Sequence, residues 1–265
     1  MLALIAGEGR LPALLAASQE TPPLICELDG FPSGVSNAPL VFRIEQLGNF
    51  LADLTGRGVT EVCFAGAIRR PPLDPAQVDA ATMPLVPRMM QALQSGDDAA
   101  LRMVIAFFEE AGLTVRAAHD VLPDLLPVEG VLTAAHPGAR DERDAERATD
   151  VARVMAVADV GQALVVAAGQ VLAVEAAGGT DWMLRTLGGD RRPEGPSGGL
   201  LYKAPKEGQD RRVDLPVIGP ETIAGAAAAG LSGIVIEAGG VMVLDRDATV
   251  RAADDAGLFL WVRAA

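Results

Sequence analysis

The stretch Met1-Leu2-Ala3-Leu4-Ile5-Ala6-Gly7-Glu8-Gly9-Arg10-Leu11-Pro12 decides the fold class. Its apolar start reads as a buried strand and its two glycines as a tight turn. Leu11, Leu14 and Leu15 then recur at helical spacing. Strand, glycine turn and helix in that order open a nucleotide-binding α/β unit, in which backbone N–H groups at the helix start can meet a phosphate. The spacing is G-x-G only, because Pro12 stands where the dinucleotide pattern has its third glycine. A phosphate or nucleoside contact at Gly7 and Gly9 therefore stands beside the plainer reading of an ordinary α/β turn.

The alternation continues outward. Residues 24–28 read as a second strand, 44–56 as a helix stopped by Gly56 and Gly58, and 59–65 as a third strand ending in Gly66-Ala67-Ile68-Arg69-Arg70-Pro71-Pro72. Ligands of open parallel sheets gather beyond the carboxyl ends of the strands. That places Gly66 and Arg70 in a ligand-facing loop, although surface charge accounts for the arginine pair equally well. Residues 84–94 and 99–111 read as helices. The second carries Leu101, Val104, Ile105 and Phe108 on one face, behind a cap in Gly96-Asp97-Asp98. A further strand covers 113–117.

Pro137-Gly138-Ala139-Arg140-Asp141-Glu142-Arg143-Asp144 is the most polar run and reads as a linker. It divides the chain into an N-terminal α/β domain, residues 1–137, and a C-terminal one, residues 138–265. In the latter, 145–157 is a helix, and 162–167 with 170–175 a hairpin around Ala168-Gly169. Thr180 or Asp181 is expected to cap a helix that begins at Trp182. Residues 220–229 form another helix and 233–236 a strand. The stretch 234–242 resembles the first hairpin and is expected to be a second one. A last helix and a strand at 258–262 complete the domain.

A chain of 265 residues holds one large domain or two small ones. With 50% hydrophobic and 22% charged residues it can bury a substantial core, which excludes a disordered class. The formal charge of −13 argues against nucleic acid and against bulk adsorption on anionic lipid. An anionic substrate must then meet local cations or a divalent metal. Cys26 and Cys63 stand singly in apolar runs and read as buried thiols, not as a disulfide framework or zinc site. His119 and His136 are too scattered for a histidine-based metal site. Residues 1–6 are too short and lack the basic start of a signal peptide. No apolar run approaches the roughly 20 residues of a spanning helix. The expectation is a soluble, cytoplasmic protein.

Of the 22 basic residues only Lys203 and Lys206 are lysines, and both fall in Leu200-Leu201-Tyr202-Lys203-Ala204-Pro205-Lys206-Glu207-Gly208-Gln209-Asp210-Arg211-Arg212-Val213-Asp214-Leu215-Pro216. Cations close to a half-buried carboxylate, Asp214, suggest a site for a phosphorylated ligand, against the alternative of a solvated charged loop. Upstream, Glu175-Ala176-Ala177-Gly178-Gly179-Thr180-Asp181 puts a glycine pair and an acid at a helix start, which suits a phosphate or a metal. Asp181 and Asp214 could share a divalent cation.

Seven pieces come in the order of one family. They are Ile5-Ala6-Gly7-x-Gly9-x-Leu11-Pro12, Phe64-Ala65-Gly66-x-x-x-Arg70-Pro71, Gly96-Asp97-Asp98, Asp159-Val160-Gly161-Gln162, Glu175-x-x-x-Gly179-Thr180-Asp181, Lys203 to Lys206, and Arg212-Val213-Asp214-Leu215-Pro216-x-x-Gly219. The ordered set resembles the UDP-2,3-diacylglucosamine pyrophosphatase family of lipid A biosynthesis, of the LpxI type, from Ile5 to the C-terminus. No single piece is specific. The loop at 188–199 is short and glycine-rich, and Glu8 stands where the family commonly has glycine.

The resemblance implies two α/β domains, the N-terminal one Rossmann-like, with a ligand cleft between them. It implies hydrolysis of UDP-2,3-diacylglucosamine to 2,3-diacylglucosamine 1-phosphate (lipid X) and UMP, with Mg²⁺. Asp214 would be the catalytic carboxylate, either holding the metal or orienting the water. Lys203, and after it Lys206, would stabilise phosphate charge. Gln162, Thr180 and Asp181 would serve the sugar phosphate or the metal, and Gly7, Gly9, Gly66 and Arg70 would serve the ligand from the first domain. The partner would be an acylated nucleotide sugar, met by a cytoplasmic enzyme with transient contact to the inner-membrane surface. Two other readings stand beside this one. One is a non-catalytic binder of acylated sugar phosphates. The other is a nicotinamide-dependent oxidoreductase, against which the missing third glycine and the solitary Asp29 both count.

Overall fold

Five apolar residues in succession form β1 (Leu2–Ala6), as a strand covered on both faces requires. In this computed structural model all residues are described except 37, 69–72, 95–96, 190–194, 207 and 265, and no side chain is described at 93, 94, 97 or 98. After β1 come α1 (Leu11–Ser18), β2 (Leu24–Leu28), β3 (Leu40–Phe42), α2 (Leu47–Gly56), β4 (Glu61–Ala65), α3 (Val86–Gln94), α4 (Asp97–Glu110), β5 (Thr114–Arg116) and the short α5 (Ala118–Val121). The five strands form one sheet, parallel throughout, in the order β3-β2-β1-β4-β5. The order of addition therefore reverses between β1 and β4. The core beside the sheet is aromatic: the Phe42 and Phe50 rings stack at 3.9 Å, and Phe108 stands edge-on to both Phe50 and Phe64.

Cys26 on β2 and Cys63 on β4 flank β1 and are buried free thiols, as expected. Burial pushes both thiols up to about 12.

The second half contains β6 (Gly130–Val131), α6 (Ala139–Val157), β7 (Ala163–Ala167), β8 (Gln170–Val174), α7 (Gly179–Gly188), β9 (Leu200–Lys203), β10 (Val217–Ile218), α8 (Pro220–Ala228), β11 (Gly233–Glu237), β12 (Met242–Val243), α9 (Arg246–Asp255) and β13 (Phe259–Arg263). A six-stranded mixed sheet runs β6-β13-β11-β9-β7-β8. Its middle, β13, β11 and β9, is parallel, and β6, β7 and β8 join antiparallel. The expected α/β class with two units holds. Among the described residues no helix is long and apolar enough to cross a membrane.

The units part between Pro123 and Asp124, not between residues 137 and 138. The first comprises Met1–Pro123 with Asp210–Asp214, and the second Asp124–Gln209 with Leu215–Ala265. Residues just after the division already belong to the second sheet: β6 pairs with β13, and the Thr133 hydroxyl accepts the Leu260 N–H at 2.8 Å.

The polar run at 137–144 is not a linker. It forms the first turns of α6, with Gly138 N–H donating to Asp141 at 2.9 Å. Asp144, the last residue of the run, is only 1% exposed. Its carboxylate accepts the N–H groups of Ala168 at 2.9 Å and Gly169 at 2.6 Å. These are the two turn residues of the β7–β8 hairpin, with φ of 49° and 76°. The second glycine turn, by contrast, makes no hairpin. Both edges of β11 are occupied in parallel by β9 and β13, so after Ala238-Gly239-Gly240 the chain moves on to β12, which pairs in parallel with β10.

Asp144→Ala removes the buried carboxylate that accepts the Ala168 and Gly169 N–H groups of the hairpin turn. Because hydrogen bonds to a charged group contribute about 1.5–3 kcal/mol, urea unfolding should show a loss of at least about 2 kcal/mol. An unchanged midpoint would mean that α6 does not hold the hairpin turn.

Candidate active site

Leu200, Leu201, Tyr202 and Lys203 are all buried because β9 lies inside the sheet, between β11 and β7. Lys203 ends the strand and is 7% exposed. Its ammonium donates to the Thr180 hydroxyl at 2.8 Å and to the Val217 carbonyl at 3.1 Å. Among the described residues these bonds use two of the three donors of the ammonium. Burial pulls its pKa below the ordinary lysine value, and the charges of Glu175 and then Asp181 oppose that shift.

Thr180 passes the interaction on. Its hydroxyl donates to Glu175 Oε1 at 2.9 Å, and Glu175 Oε2 accepts the Gln162 N–H at 2.8 Å. The approach of Glu175 requires Gly161, since a Cβ there would fall 2.4 Å from the Glu175 carbonyl oxygen. Thr180 is therefore not a helix cap. The N-cap of α7 is Gly178, which makes no side-chain cap bond. Asp181 is exposed in the first turn of that helix. The structure thus joins Gln162, Thr180 and Lys203, three of the residues singled out in the sequence, through a fourth, Glu175, that was not. Glu175 heads the quoted Glu-x-x-x-Gly-Thr-Asp pattern, and that position was its one signal.

Lys206 is one-quarter exposed and pairs with Asp159 at 2.6 Å. Asp159 has a left-handed φ of 52° in the turn after α6. The Lys206 N–H is held by Gln209 Oε1 at 3.0 Å. The segment around both lysines is thereby fixed at its backbone.

Asp214 lies in the five residues that belong to the first unit. They form a tight turn in which the N–H groups of Val213 and Asp214 both donate to the Asp210 carbonyl at 3.1 Å. Arg212 closes it. Its guanidinium holds the Asp210 carboxylate at 3.0 and 2.7 Å and reaches Glu109 on α4 at 2.6 Å. Hydrogen bonds from Arg212 hold the Asp210 carboxyl below the usual range, and Asp210 and then Glu109 raise Arg212 further. Arg212, read from the sequence as a cation for a phosphorylated ligand, is engaged in positioning the turn. Val213 packs into the first unit's core, and Asp214 itself is half-buried.

The glycines of the first unit meet where the sheet order reverses. A Cβ on Gly7 would lie 2.5 Å from the Ala67 carbonyl oxygen, and one on Gly66, at φ 86°, 2.6 Å from that of Glu8. Glu8 and Ala67 exchange both backbone hydrogen bonds at 2.9 Å, so these glycines let two strand exits touch. Gly9, at φ 106°, serves the turn that follows. Arg70 and the cap at Gly96-Asp97-Asp98 fall on residues or side chains outside those described.

Among the described residues no three or more His, Cys, Asp or Glu are gathered to hold a metal. Mg²⁺ commonly takes one or two carboxylates together with substrate phosphates. Single carboxylates such as Asp214 and Asp181 suit that kind of binding and not a protein-built cage.

Comparison with known proteins follows the same division. The LpxI N-terminal domain matches residues 1–125 and the LpxI C-terminal domain residues 128–261. A UDP-2,3-diacylglucosamine pyrophosphatase LpxI of Caulobacter vibrioides is 41% identical over 270 residues, covering 98% of this chain and 96% of that protein. With both domain models matched in order and the whole length aligned, the chain belongs to the LpxI family.

Proposed function

We propose that the protein hydrolyses the pyrophosphate of UDP-2,3-diacylglucosamine, giving 2,3-diacylglucosamine 1-phosphate and UMP. The observation that carries this reading is the end-to-end similarity to a relative named for that substrate. The site chemistry supports it. A water oxygen bonds to one phosphorus, the bridging P–O bond breaks, and two phosphomonoesters leave. Such a reaction needs an oriented water and positive charge where negative charge develops. Asp214, held by a clamped turn, orients the water and accepts its proton. Lys203 offers an ammonium already desolvated and aimed by Thr180, so little reorganisation accompanies the reaction. Mg²⁺, carried on the substrate phosphates and held by Asp214 or Asp181, would supply further neutralisation of phosphate charge.

A ³¹P assay tests the reaction. UMP and a sugar 1-phosphate should appear in the presence of Mg²⁺. Asp214→Ala should lower kcat by about 10²–10⁴-fold, the usual contribution of a general base, while the substrate still binds. Undiminished turnover in that variant would remove Asp214 from the mechanism. Tight lipid X binding by the wild type without turnover would favour a binding protein.

Lys203 predicts a pH dependence with a definite sign. The protonated ammonium is the working form, and its pKa in the fold lies below the roughly 10.4 of a free lysine. Activity should therefore fall on the alkaline side before an ordinary lysine would titrate. Between the folded and unfolded pKa values the unfolded chain binds the extra proton, so this group makes the fold more stable as pH rises. Activity and stability then move in opposite directions, which separates loss of charge from unfolding. Lys203→Arg should move the alkaline limb of kcat/KM upward, and a limb that stays in place would assign it to another group.

A further inference from the structure

Glu175 follows directly on β8. Its N–H donates to the Ala163 carbonyl at 2.8 Å, so its backbone continues the β7–β8 ladder. Its carboxylate divides its two oxygens, Oε1 taking the Thr180 hydroxyl and Oε2 the Gln162 N–H. The Gln162 carbonyl in turn accepts the N–H of Ala204, the residue after Lys203, at 3.1 Å. The bonds therefore close a ring. It runs from the Lys203 ammonium through Thr180, Glu175 and Gln162 back to the strand end that carries Lys203.

Thr180 is 8% exposed and Lys203 7%, so water competes little for the link between them. Among the described residues the negative charges that bear on Lys203 are that of Glu175 and, after it, that of Asp181. The other groups bonded to the ammonium, the Thr180 hydroxyl of α7 and the Val217 carbonyl of β10, are neutral. Asp181 is exposed, where solvent screens it. Glu175 reaches the ammonium across a single hydroxyl, a separation at which an opposite charge strongly favours the charged form. We propose that Glu175 is a positioning residue for the reaction: through Thr180 it aims the Lys203 ammonium and keeps it charged. The proposal rests on the reading above that Lys203 acts on phosphate charge. A carboxylate that only braced the hairpin would leave the protonation of Lys203 alone.

Glu175→Gln removes the charge and spares the bonds. With its carbonyl oxygen toward the Gln162 N–H, the amide turns its NH₂ to Thr180, whose oxygen can accept from it and from the ammonium together. Lys203 and Lys206 are the two lysines of the chain, so protein labelled with ¹³C at lysine Cε gives two such signals, and Lys206→Arg assigns them. The midpoint of the Lys203 titration should fall by about one pH unit in Glu175→Gln, and the alkaline limb of kcat/KM should fall with it. Melting curves establish that the variant is folded. A folded Glu175→Gln in which either the midpoint or the limb stays in place would overturn the proposal.

A second pair of variants acts on the link itself. Thr180→Val cuts it and should lower kcat by about 10²-fold, the scale of a misplaced catalytic group, whereas Thr180→Ser keeps the hydroxyl and should restore the wild-type kcat and Lys203 midpoint. Undiminished kcat in Thr180→Val would overturn the proposal even if Glu175→Gln did not fold. If the wild type hydrolyses nothing, the pyrophosphatase reading fails on its own, and the Lys203 midpoint still decides whether Glu175 governs that ammonium.

Discussion

An ammonium withdrawn from water is the constraint on which the second unit's architecture turns. The effective penalty for such a charge is several kcal/mol unless other groups replace its hydration. Lys203 meets that demand with a hydroxyl, a carbonyl and, one step further, a carboxylate. A hydroxyl suits the middle position, because through one oxygen Thr180 accepts from Lys203 and donates to Glu175. Glu175 comes within reach because Gly161 leaves room for its backbone. Segments near residues 161, 175, 180, 203 and 217 thus form one network, and a change at any of them acts on the same charge.

Asp214 is positioned by other means. The chain adds Asp210–Asp214 to the first unit and then returns to the second at Leu215. So short a segment has little area to bury, and isolated surface ion pairs hold such pieces weakly. Here the Arg212 guanidinium engages two carboxylates at once, which gives the contact direction as well as strength. The turn hydrogen bonds to Asp210 and the burial of Val213 act on the same five residues. The carboxylate is therefore placed by backbone, charge and packing together.

The α/β class was legible because its signals are local: the apolar runs of β1 and β4, and glycines where the chain turns. What could not be read depended on distant partners. The run at 137–144 has the composition of a linker, and only the hairpin turn 24 residues beyond Asp144 gives that buried carboxylate its purpose. Two similar glycine-turn segments had different outcomes because the edges of β11 were claimed by strands remote in sequence. Within the site, Lys203 stood out by rarity. Glu175 did not, since its partners are a hydroxyl and a backbone N–H. Arg212 resembled a ligand-binding cation until Glu109, 103 residues away, accounted for it. Gly7 and Gly66 suggested a ligand, yet each also answers to the close approach of two loops.

The balance of charge bears on how an anionic ligand could be met. A chain of formal charge −13 repels an anionic ligand, and beyond about 8 Å physiological salt screens what attraction its surface cations offer. The Lys206–Asp159 pair at the surface is worth about 0–1 kcal/mol. On the proposed reading, the buried ammonium of Lys203 would act on charge that grows during bond cleavage. Interactions that strengthen only in the transition state raise kcat, whereas uniform binding lowers KM. A lysine desolvated before any ligand arrives belongs, on the proposed reading, to the first kind, because its charge meets charge that develops only as the bond breaks.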